Sequence, residues 1–130
     1  CVGLQMFADI GYEEAETKGL GWISGKVSKI DNQNGKYKLP HIGWNEINIV
    51  KDSKIFKNIE SPFQATRYHS LVIDPKTLSK DFSVNAWTED GTIMGIKHNS
   101  LEIYGLQFHP ESLKTMDGMT MLNNFLKVND

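Results

Sequence analysis

The residues of this chain best suited to chemistry lie in three short stretches far apart: Cys1-Val2-Gly3-Leu4-Gln5 at the start, Tyr68-His69-Ser70-Leu71 in the middle, and Gln107-Phe108-His109-Pro110-Glu111 near the end. Read together they make one catalytic apparatus. Residue 1 is the only cysteine. A lone cysteine closes no internal disulfide, which leaves its thiol free for chemistry and fits a reducing compartment. At 130 residues the chain can bury one modest core, a single domain or part of one.

Residues 2–10 are apolar and contain alanine, and Gly11 follows as a stop. The pattern predicts a helix opening directly after Cys1, with the thiol at its N-terminus. Glycines then recur from Gly19 to Gly25 around Trp22 and Ile23, residues 27–30 read as a short strand, and residues 31–35 as a turn. Residues 46–50 alternate as a strand does, and 52–59 form a linking segment closed by Ser61-Pro62. Four further strands are predicted at 68–73, 82–87, 93–97 and 103–108, parted by turn signals at Asp74-Pro75, Asp90-Gly91 and Asn99-Ser100. Met119, Leu122, Phe125 and Leu126 fall near helical spacing within 116–126, predicting a closing amphipathic helix.

The 14 basic and 16 acidic residues are nearly balanced, and no stretch gathers Lys and Arg as a phosphate-backbone binder requires, so nucleic acid is not an expected partner. No apolar run approaches the roughly 20 residues of a membrane span, and the N-terminus lacks the layout of a secretory signal. A soluble, cytoplasmic protein is expected. No methionine opens the chain, as in a processed product or a fragment of something longer.

A thiolate is a good nucleophile when its pKa is lowered, and a helix N-terminus and a nearby imidazole both lower it. Gly3 would let backbone approach closely, and the N–H groups opening the helix could hold an oxyanion. The alternative is a buried or incidental terminal cysteine. His109 is followed two residues later by Glu111, with Pro110 fixing the backbone between, so the carboxylate can hold the imidazole's tautomer while the other ring nitrogen faces a thiol. The same triplet could also be a solvated strand end. His41, His69 and His98 show no metal-ligand spacing and read as structural or substrate-adjacent. Trp22, Trp44 and Trp87 read as core or interface packing.

The nucleophile motif together with Gln107-Phe108-His109-Pro110-Glu111 resembles the triad-type, class I glutamine amidotransferases. The likeness covers essentially the whole chain, as one domain over residues 1–130. Residues 1–60, with Lys18-Gly19-Leu20-Gly21-Trp22 and Pro40-His41-Ile42-Gly43-Trp44-Asn45, look like the glutaminase subunit of imidazole glycerol phosphate synthase. Residues 62–130, with Arg67-Tyr68-His69-Ser70-Leu71-Val72 and Ala86-Trp87-Thr88-Glu89-Asp90-Gly91, are similar to component II of anthranilate or aminodeoxychorismate synthase. The junction falls near 55–63, and recombination, a built chimera or an assembly artefact are all open.

The resemblance implies an α/β, flavodoxin-like domain: a central mixed or largely parallel sheet with flanking helices and a short antiparallel patch, present as the portion that starts at the nucleophile. It implies catalytic roles for Cys1, His109 and Glu111, and glutamine binding by Gln5 and the backbone of Ser70 and Leu71. It implies L-glutamine for substrate, an ammonia-accepting synthase subunit for partner, and no cofactor or metal. In relatives, residues before the nucleophile add strands and a second oxyanion donor, so weak or absent turnover is expected of this chain alone. Two other readings stay open. One is a non-catalytic partner-binding module. The other is an N-terminal-nucleophile amidotransferase in which the α-amine of Cys1 serves as base.

Overall fold

The computed structural model describes residues 1–31, 34–35 and 38–128. A five-residue helix, α1 (Val2–Met6), is followed by β1 (Ala8–Tyr12), β2 (Glu16–Lys18) and β3 (Ile23–Lys29). Next come the long β4 (His41–Ile49), a 3₁₀ turn at Lys54–Phe56, β5 (Phe63–His69) and β6 (Leu71–Ile73). β7 (Phe82–Trp87), β8 (Ile93–His98), β9 (Tyr104–Leu106) and α2 (Gly118–Leu126) complete the order. Four strands form one sheet in the order β2-β1-β3-β6, and five form a second in the order β5-β4-β7-β8-β9. The expected α/β class holds. The first sheet is mixed, with its parallel component confined to β1 and β3, whereas the antiparallel part is a whole five-stranded sheet rather than a short patch.

Three local expectations are corrected by long-range pairing. The helix predicted over 2–10 stops at Met6 because the following residues are claimed by two strands: Ile10, Gly11 and Tyr12 pair antiparallel with β2, and Ala8, Ile10 and Gly11 pair with β3. Gly11 therefore lies inside a strand instead of ending a helix. The strand predicted over 68–73 is two strands in different sheets, since β5 pairs with β4 while β6 pairs with Val27–Lys29 of β3. Inward burial at His69, Leu71 and Ile73 keeps period two straight through the break, so the pattern cannot reveal it. The strand expected at 46–50 begins at His41 instead, because seven residue pairs, His41↔His69 to Ile47↔Phe63, zip it to β5. Of the turn expected at 31–35, Asn32 and Gln33 lie outside the described residues.

Two apolar clusters hold the sheets. One gathers Leu4, Ala8, Ile23, Val27 and Ile73, and so fixes α1 to the first sheet. The other joins Ile47, Phe56, Phe63, Phe108 and Met121, with the Phe63 and Phe108 rings packed edge to face at 5.5 Å. Each buried side chain of this size contributes about 1.5–3 kcal/mol. Within α2 the inward positions are Gly118 and Met121, whereas Met119 and Leu126 of the predicted face are exposed. Asn124 Nδ2 ties the helix to the 3₁₀ turn by donating to the carbonyls of Ile55 and Lys57 at 3.0 and 2.8 Å. Trp22 and Trp44 are 55% and 59% exposed and so are not core residues, and Trp87 is half-buried.

Candidate active site

Cys1 caps the N-terminus of α1, its carbonyl accepting from Gln5 N at 3.2 Å. Leu4, one turn on, is buried against β9, where an ideal Cβ on Gly105 would stand 2.4 Å from the Leu4 side chain. Glycine at 105 leaves the room that the Leu4 side chain occupies. The Cys1 backbone nitrogen donates to Leu106 O at 2.7 Å, so residue 1 and the end of β9 are locked together across the whole chain.

The second docking element is the segment that follows β9. His109 N donates to Thr66 O at 3.1 Å, and Thr115 Oγ1 donates to His109 O at 2.6 Å while accepting from Thr66 N at 3.1 Å. These bonds stitch His109 to β5. His109 Nδ1 meets Glu111 Oε1 at 2.7 Å. Burial pulls the Glu111 carboxyl upward, but the bond to His109 and the imidazole's charge outweigh it and leave its pKa below the ordinary carboxylate range. With Glu111 ionised, Nδ1 carries the proton that meets it, which leaves Nε2 as the ring nitrogen turned to other partners. Nε2 is shut from solvent and has no hydrogen-bond partner among the described residues. Cys1, Gly3, His109 and Glu111 all line one open cleft of about 830 Å³. A Cβ on Gly3 would meet nothing within 4 Å, so the close backbone approach expected at Gly3 is not seen among the described residues.

Gln5 and Leu71 border a neighbouring hollow of about 540 Å³, beside Val27 and Gly19. Gln5 Nε2 donates to Leu71 O at 3.3 Å. Ser70 lies between β5 and β6, where its carbonyl accepts from Ile30 N at 2.8 Å, and it lines neither space. The structure thus brings Cys1, His109 and Glu111 to one cleft and Gln5 and Leu71 to the next.

Gln107 joins the two. Its side chain is wholly buried; Nε2 donates to Cys1 Sγ at 3.3 Å and Oε1 accepts from Gln5 Nε2 at 3.5 Å. The thiol's other contact is Tyr68 O at 3.8 Å. Sequence reasoning placed Gln107 in a motif without giving it a task, and a residue type in a motif names no contact.

Arg67 likewise was quoted within a motif and given no task. It is 2% exposed, with Nε donating to His69 Nε2 at 3.0 Å and a guanidinium nitrogen donating to Asn45 Oδ1 at 3.2 Å. His69 passes the restraint on, its Nδ1–H donating to Leu71 O at 2.8 Å. Burial, against the opposing pull of the Leu71 bond and helped by the Arg67 charge, pushes the His69 pKa down to about 4, so the ring is neutral. One signal was available, since alternation along β5 puts Arg67 and His69 on the inward face of Phe63 and Ala65. His98 is structural, its Nδ1 accepting from Leu101 N at 3.0 Å. His41 lies opposite His69, and burial followed by the Arg67 charge lowers its pKa. Among the described residues no three His, Cys, Asp or Glu side chains are placed to hold a metal, and no helix is long and apolar enough to cross a membrane.

Comparison with known proteins gives a family and several relatives. A family model described as "Glutamine amidotransferase class-I" matches residues 1–128. The imidazole glycerol phosphate synthase subunit HisH of Pelagibacter ubique (strain HTCC1062) is 54% identical over 98% of this chain and 60% of its own length. The aminodeoxychorismate/anthranilate synthase component 2 of Bacillus subtilis (strain 168) is 51% identical over 61% of this chain and 41% of its own. The chain therefore spans three-fifths or less of these relatives. Among solved structures, a protein from Thermoplasma acidophilum described as part of a GMP synthase superposes with a TM-score of 0.67 at 26% identity, covering 80% of this chain and 48% of that one. A glutamine amidotransferase from Thermotoga maritima (TM-score 0.54, 20% identity, 80% of this chain and 38% of that one) shares the fold.

Proposed function

The chain belongs to the class I glutamine amidotransferase family, and from that premise we propose that it is the nucleophile-bearing part of a glutaminase that releases ammonia from L-glutamine for a synthase partner. The observation that carries the proposal is the shared cleft, lined by both Cys1 and His109, where His109 Nε2 has no hydrogen-bond partner among the described residues while Glu111 holds the other ring nitrogen at 2.7 Å.

In this reading the Cys1 thiol gives its proton to His109 Nε2, and the thiolate attacks the side-chain amide carbon of glutamine to form a C–S bond. The developing oxyanion is met by N–H groups of the first turn of α1, which have no intrahelical acceptors. As the C–N bond breaks, His109 returns the proton to the departing ammonia. Water, deprotonated by His109, then hydrolyses the thioester, releasing glutamate while the thiol takes back its proton from His109. Glu111 stabilises the imidazolium formed on the way. Gln5 and Leu71 are the proposed holders of the glutamine backbone, with Ser70 setting the bend that presents Leu71.

The relative named as a subunit of imidazole glycerol phosphate synthase matches 98% of the chain, the residues 55–63 included, whereas the component 2 relative from Bacillus subtilis covers 61%. This favours the histidine-pathway synthase over a chorismate-using one as partner, and makes a chimeric origin unnecessary. Ile42, Trp44 and Tyr68 are exposed on one face of β4 and β5, and Tyr68 O contacts the nucleophile's sulfur. A partner docked there would receive ammonia over a short path.

The test is intact-mass measurement after incubation with a glutamine-mimicking diazo-ketone, beside a Cys1→Ala control. A single adduct on Cys1, blocked by excess glutamine, is expected. No adduct, with the thiol still reactive to a generic alkylator, would reject a competent site and leave a partner-binding role.

A further inference from the structure

Cys1 Sγ sits between two groups of opposite demand. Tyr68 O, at 3.8 Å, can only accept, and so favours the protonated thiol. Gln107 Nε2, at 3.3 Å, can only donate, and so favours the thiolate. A fully buried primary amide has to find partners for both ends or carry an unpaired polar group. Gln107 finds them in Cys1 and in Gln5, whose amide meets its Oε1 at 3.5 Å.

The amide has little freedom to be elsewhere. The Gln107 backbone nitrogen donates to Met94 O at 2.9 Å. On one side, the Leu106 carbonyl takes the Cys1 nitrogen at 2.7 Å; on the other, Phe108 is wholly buried against Phe63. The donor is thus aimed at the sulfur by the same strand end that anchors the nucleophile's backbone.

We propose that Gln107 is the donor that tunes the Cys1 thiol toward thiolate and keeps it registered with Gln5, so that the nucleophile and the proposed glutamine-side hollow are coupled through one buried amide. Its catalytic consequence rests on the glutaminase reading, whereas its physical content does not. When the thiol proton leaves, the Tyr68 contact loses its hydrogen and the Gln107 contact strengthens, so the amide favours the charged form at the moment it is made.

The test is the pH profile of Cys1 alkylation by iodoacetamide, followed by intact mass, in the wild-type chain, Gln107→Met and Gln107→Glu. Methionine keeps the length and removes the donor. The expected result is a midpoint about one pH unit higher, hence roughly tenfold less thiolate at a fixed pH below it, with the glutamate variant shifted at least as far by its charge. A melting curve on each variant separates this from a packing role, which would lower the melting temperature and leave the midpoint in place. If Gln107→Met does not fold, Gln107→Asn, which withdraws the donor by one methylene, replaces it. Midpoints within about 0.2 units of wild type in folded variants would overturn the inference. Because no glutamine enters the assay, loss of the glutaminase reading and loss of this one are told apart: the first fails with the diazo-ketone, the second with the midpoint.

Discussion

Replacing Gly118 by alanine is expected to damage the proposed site from behind. An ideal Cβ at this position stands 1.9 Å from Pro110 O and 3.0 Å from Pro110 C. A carbon and a carbonyl oxygen need about 3.3 Å, so one side has to move by about 1.4 Å. α2 resists, held by the fully buried Met121 and by the two bonds from Asn124. The segment carrying His109, Pro110 and Glu111 gives way instead, and with it the 2.7 Å bond between His109 and Glu111. Overpacking of this kind costs about 1–3 kcal/mol, which for a chain of this size lowers the melting temperature by roughly 4–12 °C. A 1 Å misplacement of reacting groups costs on the order of 10²-fold in rate. Thermal melting and the rate of diazo-ketone labelling read both effects. Gly3→Ala is the stability comparator, since its Cβ meets nothing within 4 Å and its melting temperature should not fall. A Gly118→Ala protein that melts within about 1 °C of wild type and labels at the wild-type rate would refute the reasoning.

Acid should weaken the fold through His69, whose folded pKa of about 4 lies below its unfolded value of 6.5, so the unfolded chain binds the extra proton between these pH values. Stability present above pH 6.5 is lost on descending toward pH 4, by on the order of 3 kcal/mol, and melting curves of a His69→Gln variant should lose that part of the pH dependence. Glu111→Gln is expected to leave the melting temperature unchanged, because the carboxylate is 67% exposed, but to slow glutamine hydrolysis by about tenfold or more by releasing the tautomer of His109; equal rates would remove Glu111 from the mechanism. Trp44→Ala, at a residue 59% exposed, should leave the melting temperature unchanged and weaken binding of the proposed synthase partner by about tenfold or more in titration calorimetry; unchanged affinity would move the proposed docking face elsewhere.

Much of the fold was legible because period-two burial and turn residues are local signals. β7 was placed at both ends, and the predicted strands at 93–97 and 103–108 and the closing helix lie where elements form. The failures share a cause. Residues 8–10 fell within the predicted helix and were drawn into β1 by partners on β2 and β3, because pairing and burial outweigh a propensity worth less than about 1 kcal/mol per residue. Ser70 hides the passage between sheets because alternation records which side of a strand is buried and says nothing of which strand lies beside it.

The proposed site divides along the same line. Residue types and spacing were enough to single out Cys1, His109 and Glu111, since a thiol, an imidazole and a carboxylate two residues beyond it have few other joint uses, and the His109–Glu111 contact is local. What the tertiary structure alone decided is everything that joins distant atoms: the Cys1 nitrogen on Leu106, the Gln107 amide between Cys1 and Gln5, and Arg67 buried behind His69 and Leu71. Local sequence specifies the chemistry a side chain can do and the face it occupies. Which atoms meet depends on strand registers between separate segments and on bonds such as that from Cys1 to Leu106, and those exist only once both sheets have closed on their cores.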